Sequence, residues 1–144
     1  MQSYPHHYAV TANAAREGNV DLSSEGLAPI SSAPPAEFGG PGDKWSPETL
    51  LVAAVADCFI LTFRAIARAS KLEWIALSCE VEGVLDRVDN VTRFTELKVH
   101  AALNVPAGTD EQHALRILEK SEHGCLITNS LSAKSQLEAT VHIA

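Results

Sequence analysis

The stretch that decides the fold is residues 46–70, S-P-E-T-L-L-V-A-A-V-A-D-C-F-I-L-T-F-R-A-I-A-R-A-S. Ser46 is a good N-cap, and Pro47 takes the first helical position, where its missing N–H costs nothing. No glycine or proline follows as far as Ser70, which predicts a helix of about six turns. Almost every face of this helix is apolar, so nearly all of it must be covered. One small domain can hardly wrap it alone, and we therefore expect a central helix in a homodimer.

The composition is that of a folded, acidic chain. Its 144 residues predict a single domain, residues 1–144. A net charge of −7 has the wrong sign for a surface that binds nucleic acid or anionic lipid. The apolar residues 50–67 include Asp57 and Arg64, which favours a helix buried in a soluble protein over a membrane span. The N-terminus shows no export pattern, so we expect a cytoplasmic protein with neither nucleic-acid nor membrane partners.

The first half also contains an irregular segment, and the second half begins with strands. Proline, glycine and serine crowd residues 26–42, which predicts a long loop. After Lys71 the apolar residues recur at every second position, over 75–85 and again over 97–105. This alternation is typical of strands with one wet face. Asp89 and Asn90 supply turn chemistry between the two, so the sequence predicts a hairpin.

A second helix and a last strand complete the chain. Thr109 and Gln112 form a capping box, and an apolar stripe follows them. Gly124 is a natural residue for the helix end, which places Cys125 just beyond it. Residues 137–143 alternate between apolar and polar, as a terminal strand would. The order of elements predicts an α+β fold with antiparallel pairing.

The three cysteines are the main candidates for chemistry, and their odd number leaves at least one thiol unpaired. Cys79 falls on the apolar side of a predicted strand, so we interpret it as core filler. Cys58 lies within the apolar helix and, taken alone, is also better explained as part of the core. Cys125 differs, because at a helix end the backbone opens and a thiol can be reached.

One longer motif changes the interpretation of these thiols. Residues 38–58, F-G-G-P-G-D-K-W-S-P-E-T-L-L-V-A-A-V-A-D-C, combine a glycine-rich loop, P-E-x-L and an alanine-rich helix with a cysteine ten residues after the glutamate. This pattern resembles the osmotically inducible protein C and organic hydroperoxide resistance (OsmC/Ohr) family. A second cysteine before the last strand fits Cys125. Leu126 follows it where many peroxidases of the family have proline, so the chain resembles a less characterised OsmC-like branch.

The resemblance implies an OsmC-like fold, in which antiparallel sheets wrap around two long central helices of an intertwined homodimer. It implies a thiol peroxidase that reduces fatty-acid or alkyl hydroperoxides in oxidative-stress defence and is recycled by a dithiol or small thiol. Cys58 would be the peroxidatic thiol and Cys125 the resolving one. Glu48 and an arginine, for which Arg16 is the best match, would flank the thiolate. Neither a cofactor nor a metal is implied.

The spacing of Glu48 and Cys58 adds a geometric condition. Ten residues on one helix correspond to roughly 15 Å along its axis, so these two side chains cannot meet within one rigid helix. If both belong to one site, Glu48 must act on Cys58 of another subunit across a symmetric dimer. Cys58 is also three turns from the positive helix end, so we expect a nearby cation to lower its thiol pKa.

Two other interpretations stay open on the sequence alone. The chain could form a non-catalytic dimer that binds an apolar ligand between its helices. Alternatively, Cys58, His123 and Cys125 could hold a transition metal, although structural metal sites usually show tighter ligand spacing.

Overall fold

The computed structural model describes residues 1–144, which divide into two compact units, Met1–Leu50 and Leu51–Ala144. The first unit is built on a three-stranded antiparallel sheet in the order β1 (Thr11–Ala14), β2 (Val20–Ser23), β3 (Ile30–Ser32). A single 3-10 turn follows at Ala36–Phe38. The segment predicted as an irregular loop therefore contains a short strand and a helical turn. A single domain over the whole chain stays a prediction.

Helix α1 runs from Pro47 to Ala69 and begins as the sequence predicts. The Ser46 hydroxyl accepts a hydrogen bond from the Thr49 N–H at 3.1 Å, and the Thr49 hydroxyl accepts one from the Ser46 N–H at 2.8 Å. This is the reciprocal geometry of a capping box, with threonine in the position that glutamate usually takes. Two N–H groups that the helix start would leave without partners are thereby satisfied.

The second unit contains a hairpin, two further helices and a final strand. Strands β4 (Ala76–Val88) and β5 (Val91–Val105) pair antiparallel, which confirms the predicted hairpin. Asp89 and Asn90 connect them with φ angles of 51° and 63°. Asparagine and aspartate tolerate this left-handed region better than other residues with a side chain, and it matches the twist of a two-residue hairpin turn. Helices α2 (Glu111–Gly124) and α3 (Leu126–Asn129) then lead to β6 (Lys134–Ile143).

The direction of the last strand differs from the prediction. β6 pairs with β5 in parallel, not antiparallel, over the register Glu96–Lys134 to Val105–Ile143. Alternation of apolar and polar residues is the same for either direction of a strand, so it could not decide this point. The connection decides it, because α2 and α3 form a helical crossover that returns the chain to the same end of the sheet.

The residue that caps the start of α2 also differs from the predicted one. Asp110, and not Thr109, caps this helix, since its carboxylate accepts hydrogen bonds from the N–H groups of Gln112 and His113. The Thr109 hydroxyl instead donates to the carbonyl of Pro106 at 2.7 Å. A carboxylate at this position also interacts favourably with the positive end of the helix dipole.

The core of the second unit lies on one face of the β4–β5–β6 sheet. Apolar residues of α1 and α2 pack there against every second residue of β5: Phe59, Phe63, Ala67, Val99, Ala101, Leu103, Val105, Ala114, Ile117 and Leu118. At Gly83 the sheet approaches α1 so closely that a Cβ atom would stand 2.7 Å from a methyl group of Val52. The absence of a side chain at Gly83 thus allows this close packing.

Much of α1 remains uncovered within this chain. By length and composition alone α1 could cross a membrane, and 28% of its most apolar window is buried, with a mean hydropathy of 2.1. Its buried residues, Val55, Cys58, Phe59, Phe63 and Ala67, mark the side that faces the core. On another side Leu61 is 52% exposed. The expectation that nearly every face must be covered is therefore not met by one chain.

Candidate active site

Cys58 belongs to the buried side of α1 and also borders an apolar groove that opens on the exposed side of this helix. The groove has a volume of about 500 Å³, and α1 and the start of α3 line it with Ala54, Asp57, Cys58, Leu61, Thr62, Ala65, Leu126 and Ile127. The Cys58 residue is 9% exposed. Asp57 is the one charged side chain among the lining residues. A small molecule with an alkyl chain could therefore reach the sulfur while its chain stays among apolar groups.

Cys125 is the second thiol of this site, and it is more deeply buried than Cys58. It is 1% exposed and occupies the junction between α2 and α3, where it serves as the C-cap of one helix and the N-cap of the other. The Thr128 hydroxyl donates a hydrogen bond to its sulfur at 3.3 Å. The expectation that Cys125 is the accessible thiol is wrong, because at this junction its side chain is almost fully buried.

The surroundings of Cys58 favour its thiolate. Partial burial raises the pKa of the Cys58 thiol, but hydrogen bonds outweigh that effect and leave the pKa below its ordinary value. The backbone at Ile127 supplies the largest of these bonds, followed by the side chains of Cys125 and Thr62 and the backbone at Leu126. A thiol with a lowered pKa is the more nucleophilic one at neutral pH, because the thiolate is the reacting species.

The other two thiols are shifted in the opposite direction. Burial raises the pKa of Cys125, and the nearby Cys58 thiolate raises it further, although bonds from Thr128 oppose the change. Burial raises the pKa of Cys79 to about 11, with a smaller contribution from the negative charge on Cys125. Cys79 lies on β4 and packs against the main core, as predicted for core filler. All three cysteines are free thiols in this structure.

Glu48 and Arg16 belong to the first unit, whereas the thiols belong to the second. Glu48 lies in the first turn of α1, and its Oε1 atom is fully buried without a hydrogen-bond partner. Arg16 is exposed between β1 and β2. The structure thus brings together the thiols of Cys58 and Cys125, while the roles of Glu48 and Arg16 stay predictions.

Sequence reasoning missed the groups that surround the two sulfurs. Thr62 lies four residues after Cys58 on α1, and their Oγ1 and Sγ atoms are 3.8 Å apart. Thr128 follows Cys125 by three residues. Spacings of three and four residues place side chains on the same side of a helix, so this signal was available. The backbone donors at Leu126 and Ile127 left no comparable signal, since only the fold carries them to Cys58.

The structure contains no cluster of ligands for the alternative metal site. No group of three or more histidine, cysteine, aspartate or glutamate side chains is arranged to hold a metal ion. His123 lies beside Cys125 in sequence, but it is exposed and its Nδ1 atom is 2.9 Å from the Glu119 carbonyl.

Comparison with known proteins identifies the family. The sequence model described as OsmC-like protein matches residues 40–140, which contain Glu48, Cys58 and Cys125. The chain belongs to the OsmC-like family. A curated relative in Bacillus subtilis (strain 168), the uncharacterized protein YmaD, is 28% identical over 144 residues and covers 96% of both chains.

Solved structures of OsmC-like proteins share this fold. An OsmC-like protein of unknown function from Vibrio cholerae superposes with a TM-score of 0.85 at 16% identity, covering 94% of this chain and 100% of that one. An organic hydroperoxide resistance protein from Elizabethkingia anophelis gives 0.79 at 20% identity, with 99% and 100% covered. The organic hydroperoxide resistance protein OsmC from Legionella pneumophila gives 0.76 at 24% identity, with 96% and 98% covered. These likenesses confirm the predicted α+β, OsmC-like fold.

Proposed function

We propose that this OsmC-like protein is a cysteine-based peroxidase that reduces organic hydroperoxides, of fatty-acid or alkyl type, in oxidative-stress defence. One observation carries the proposal: a thiol with a lowered pKa, Cys58, lines an apolar groove and lies next to a second thiol, Cys125. The family supports a stress-related redox role, since structural relatives carry the name organic hydroperoxide resistance protein. We place the activity in the cytoplasm, where thiols are kept reduced.

The proposed reaction has two steps on the protein. The Cys58 thiolate attacks the terminal oxygen of R–O–OH, so an S–O bond forms, the O–O bond breaks, and the alkoxide takes up a proton to leave as the alcohol. The sulfur is oxidised to a sulfenic acid and the peroxide is reduced. The Cys125 thiol then attacks the Cys58 sulfur, and the hydroxyl leaves with the thiol proton as water. A disulfide forms, which an external dithiol reduces back to two thiols.

The activity is tested by mixing reduced protein with cumene hydroperoxide and dihydrolipoamide and following peroxide loss. Wild type and Cys79→Ser should consume peroxide at similar rates, because Cys79 takes no part in the chemistry. Cys58→Ser should be inactive, since it lacks the nucleophile. Peroxide loss that is no faster with wild type than with Cys58→Ser would refute the proposal.

Formation of the disulfide has its own measurement. After one equivalent of peroxide, the intact mass of the wild type should fall by the mass of two hydrogens. Cys125→Ser should instead gain one oxygen, because its Cys58 sulfenic acid has no resolving partner. A wild type that only gains oxygen would assign no resolving role to Cys125.

We further propose that the working unit is a homodimer with shared sites. The uncovered apolar side of α1 and the exposed Leu61 support it, because a second copy would remove much of this surface from water. The Cys58 groove would then lie between the two subunits and stay open to small molecules. The buried Oε1 of Glu48 also supports it, since a buried carboxylate oxygen without a partner is rare in a complete structure. In this arrangement Glu48 of one subunit, together with Arg16, acts at Cys58 of the other.

Binding of an apolar ligand is a second candidate function, favoured by the mostly apolar lining of the groove. This candidate needs neither thiol. It predicts that a fatty acid raises the melting temperature of the double variant Cys58→Ser, Cys125→Ser as much as that of the wild type. A shift that requires the thiols would eliminate it.

A further inference from the structure

Each of the two site thiols has a threonine hydroxyl next to its sulfur, on the same stretch of helix. The Thr62 Oγ1 atom is 3.8 Å from the Cys58 sulfur, and the Thr128 hydroxyl donates to the Cys125 sulfur at 3.3 Å. These distances lie in the range of hydrogen bonds to sulfur, which are longer than those to oxygen. The pairs Cys58–Thr62 and Cys125–Thr128 therefore repeat one arrangement in two different elements.

The direction of the Thr62 hydroxyl is unusual for a helix. Serine and threonine hydroxyls commonly bond to the carbonyl one turn earlier. Two serines of this chain do so: the Ser121 hydroxyl donates to the Ile117 carbonyl at 2.7 Å, and Ser130 donates to the Leu126 carbonyl at 2.8 Å. The Thr62 hydroxyl has a sulfur as its partner instead.

The Thr62 side chain has few orientations available to it. A threonine side chain in a helix is restricted at χ1, because its Cβ atom is branched. The Thr62 methyl group faces the end of α2, where a Cβ atom on Gly124 would stand 3.4 Å from it. With the methyl group on the side of Gly124, the hydroxyl lies toward Cys58.

The groups around Cys58 explain why its thiolate needs a hydrogen-bond donor such as this hydroxyl. Asp57 of α1 lines the same groove, Cys125 lies close to Cys58 at the end of α2, and Cys79 of β4 is near enough to Cys125 for their charges to interact. Any negative charge on these groups opposes a thiolate at Cys58. Leu126 and Ile127 of α3 add no titratable side chain. Within this unit the thiolate is therefore stabilised by uncharged donors, of which Thr62 is the only hydroxyl on the groove.

We propose that Thr62 is a further catalytic residue of the site, whose hydroxyl donates a hydrogen bond to the Cys58 thiolate and keeps the sulfur turned toward the groove. This inference rests on the proposed function for the reaction that Cys58 performs. Thr62 would then supply part of the activation that the sequence assigned to an arginine. The same hydroxyl lowers the pKa of the Cys58 thiol, consistent with this role.

The test measures thiolate reactivity without any peroxide. Reduced full-length protein is treated with iodoacetamide over a pH series, and modification of Cys58 is followed by peptide mass spectrometry. Thr62→Val keeps the shape and the methyl contact but loses the donor, so Cys58 should react about fivefold more slowly at neutral pH, with its pH midpoint raised. Thr62→Ser keeps the donor and should stay within about twofold of wild type.

Two further variants control the result. Thr95→Val removes a hydroxyl that bonds to the Val84 carbonyl, away from the groove, and should leave Cys58 unchanged. Thr62→Ala removes the donor without adding an apolar branch and should behave as Thr62→Val if the latter folds poorly. Cys58 reactivity that is unaltered in both Thr62→Val and Thr62→Ala would overturn the inference. If Thr62→Val slows alkylation but wild type consumes no peroxide, the proposed function fails while the role of Thr62 stands.

Discussion

At the scale of single residues, hydrogen bonding separates three thiols that the sequence presents as equals. Cys58 and Cys125 are both buried, yet donors converge on the sulfur of Cys58 and lower its pKa, whereas the pKa of Cys125 is raised. Cys79 packs in the core with its pKa raised to about 11. Of the three thiols, only Cys58 thus has a pKa below its ordinary value, which favours its thiolate over those of the other two.

This separation predicts an order of modification. In reduced native protein at neutral pH, iodoacetamide should label Cys58 well before Cys125 and Cys79, because only Cys58 combines a lowered pKa with an opening to a groove. Peptide mass spectrometry over a time course gives the three rates. In concentrated urea the three rates should converge, since the unfolded chain has neither burial nor fixed donors. Native labelling of Cys79 as fast as Cys58 would contradict the order.

The raised pKa of Cys79 predicts a loss of stability in alkali. Between its ordinary value of about 8.5 and its folded value of about 11, the unfolded chain releases the thiol proton while the folded protein retains it. The contribution of Cys79 is therefore complete below about pH 8.5 and declines as the pH rises toward 11. Urea unfolding at pH 8 and pH 10 should show a smaller decline for Cys79→Ala than for wild type. Cys58→Ala should not reduce the decline, because the pKa of Cys58 is lowered.

At the scale of elements, the start of α1 is fixed by a cap that two side chains share. Ser46→Ala removes the hydroxyl that accepts from Thr49 and should lower the free energy of unfolding by about 1 kcal/mol, as measured by urea denaturation. Ser78→Ala, on the exposed side of β4, is the matched control and should change it little. If both substitutions changed the free energy of unfolding equally, the cap would have no specific role in stability.

Elements whose start or end is marked by neighbouring residues could be predicted from the sequence. Features that depend on distant parts of the chain could not. Ser46 and Pro47 mark the start of α1, and Asp89 with Asn90 marks the hairpin turn, because capping and turn chemistry act between near neighbours. The direction of β6 depends on the path of the whole crossover, so alternation could not reveal it. The burial of Cys125 likewise depends on how the chain folds at the junction of α2 and α3.

The same distinction applies to the candidate site. Cys58 and Cys125 could be proposed from the motif in which they stand, and Thr62 could have been found from helical spacing. The donors at Leu126 and Ile127 come from the backbone, which every residue except proline shares, so no pattern marks them. Leu126 has a backbone N–H that a proline at this position would lack.

At the scale of the whole molecule, one chain leaves an apolar side of α1 exposed to solvent. A homodimer would cover it and would give Glu48 a partner, as proposed above. Size-exclusion chromatography with light scattering should give twice the mass of the chain. Leu61→Asp, which places a carboxylate on the exposed apolar side, should shift the protein toward the monomer, while Val91→Asp at the hairpin should leave the mass unchanged. A wild-type monomer would refute the dimer.

Shared sites predict complementation between two defective subunits. Cys58→Ser and Glu48→Gln should each be impaired alone. A mixed dimer would combine Cys58 of one subunit with Glu48 of the other in one intact site. Co-refolding equal amounts should restore about a quarter of wild-type peroxidase activity, since half of the dimers are mixed and each has one intact site of two. Activity that stays at the average of the two variants would show that each site lies within one subunit.

The deep position of Cys125 also has a kinetic consequence for the proposed cycle. With Cys125 buried at the junction of α2 and α3 and Cys58 at the groove, an incoming dithiol would reach only the Cys58 side of the proposed disulfide. Oxidant and reductant would then meet the same sulfur in turn, through the same opening, and could not be bound there together. Steady-state rates should follow a ping-pong pattern, with parallel double-reciprocal plots, and excess dithiol should compete with peroxide for the reduced protein.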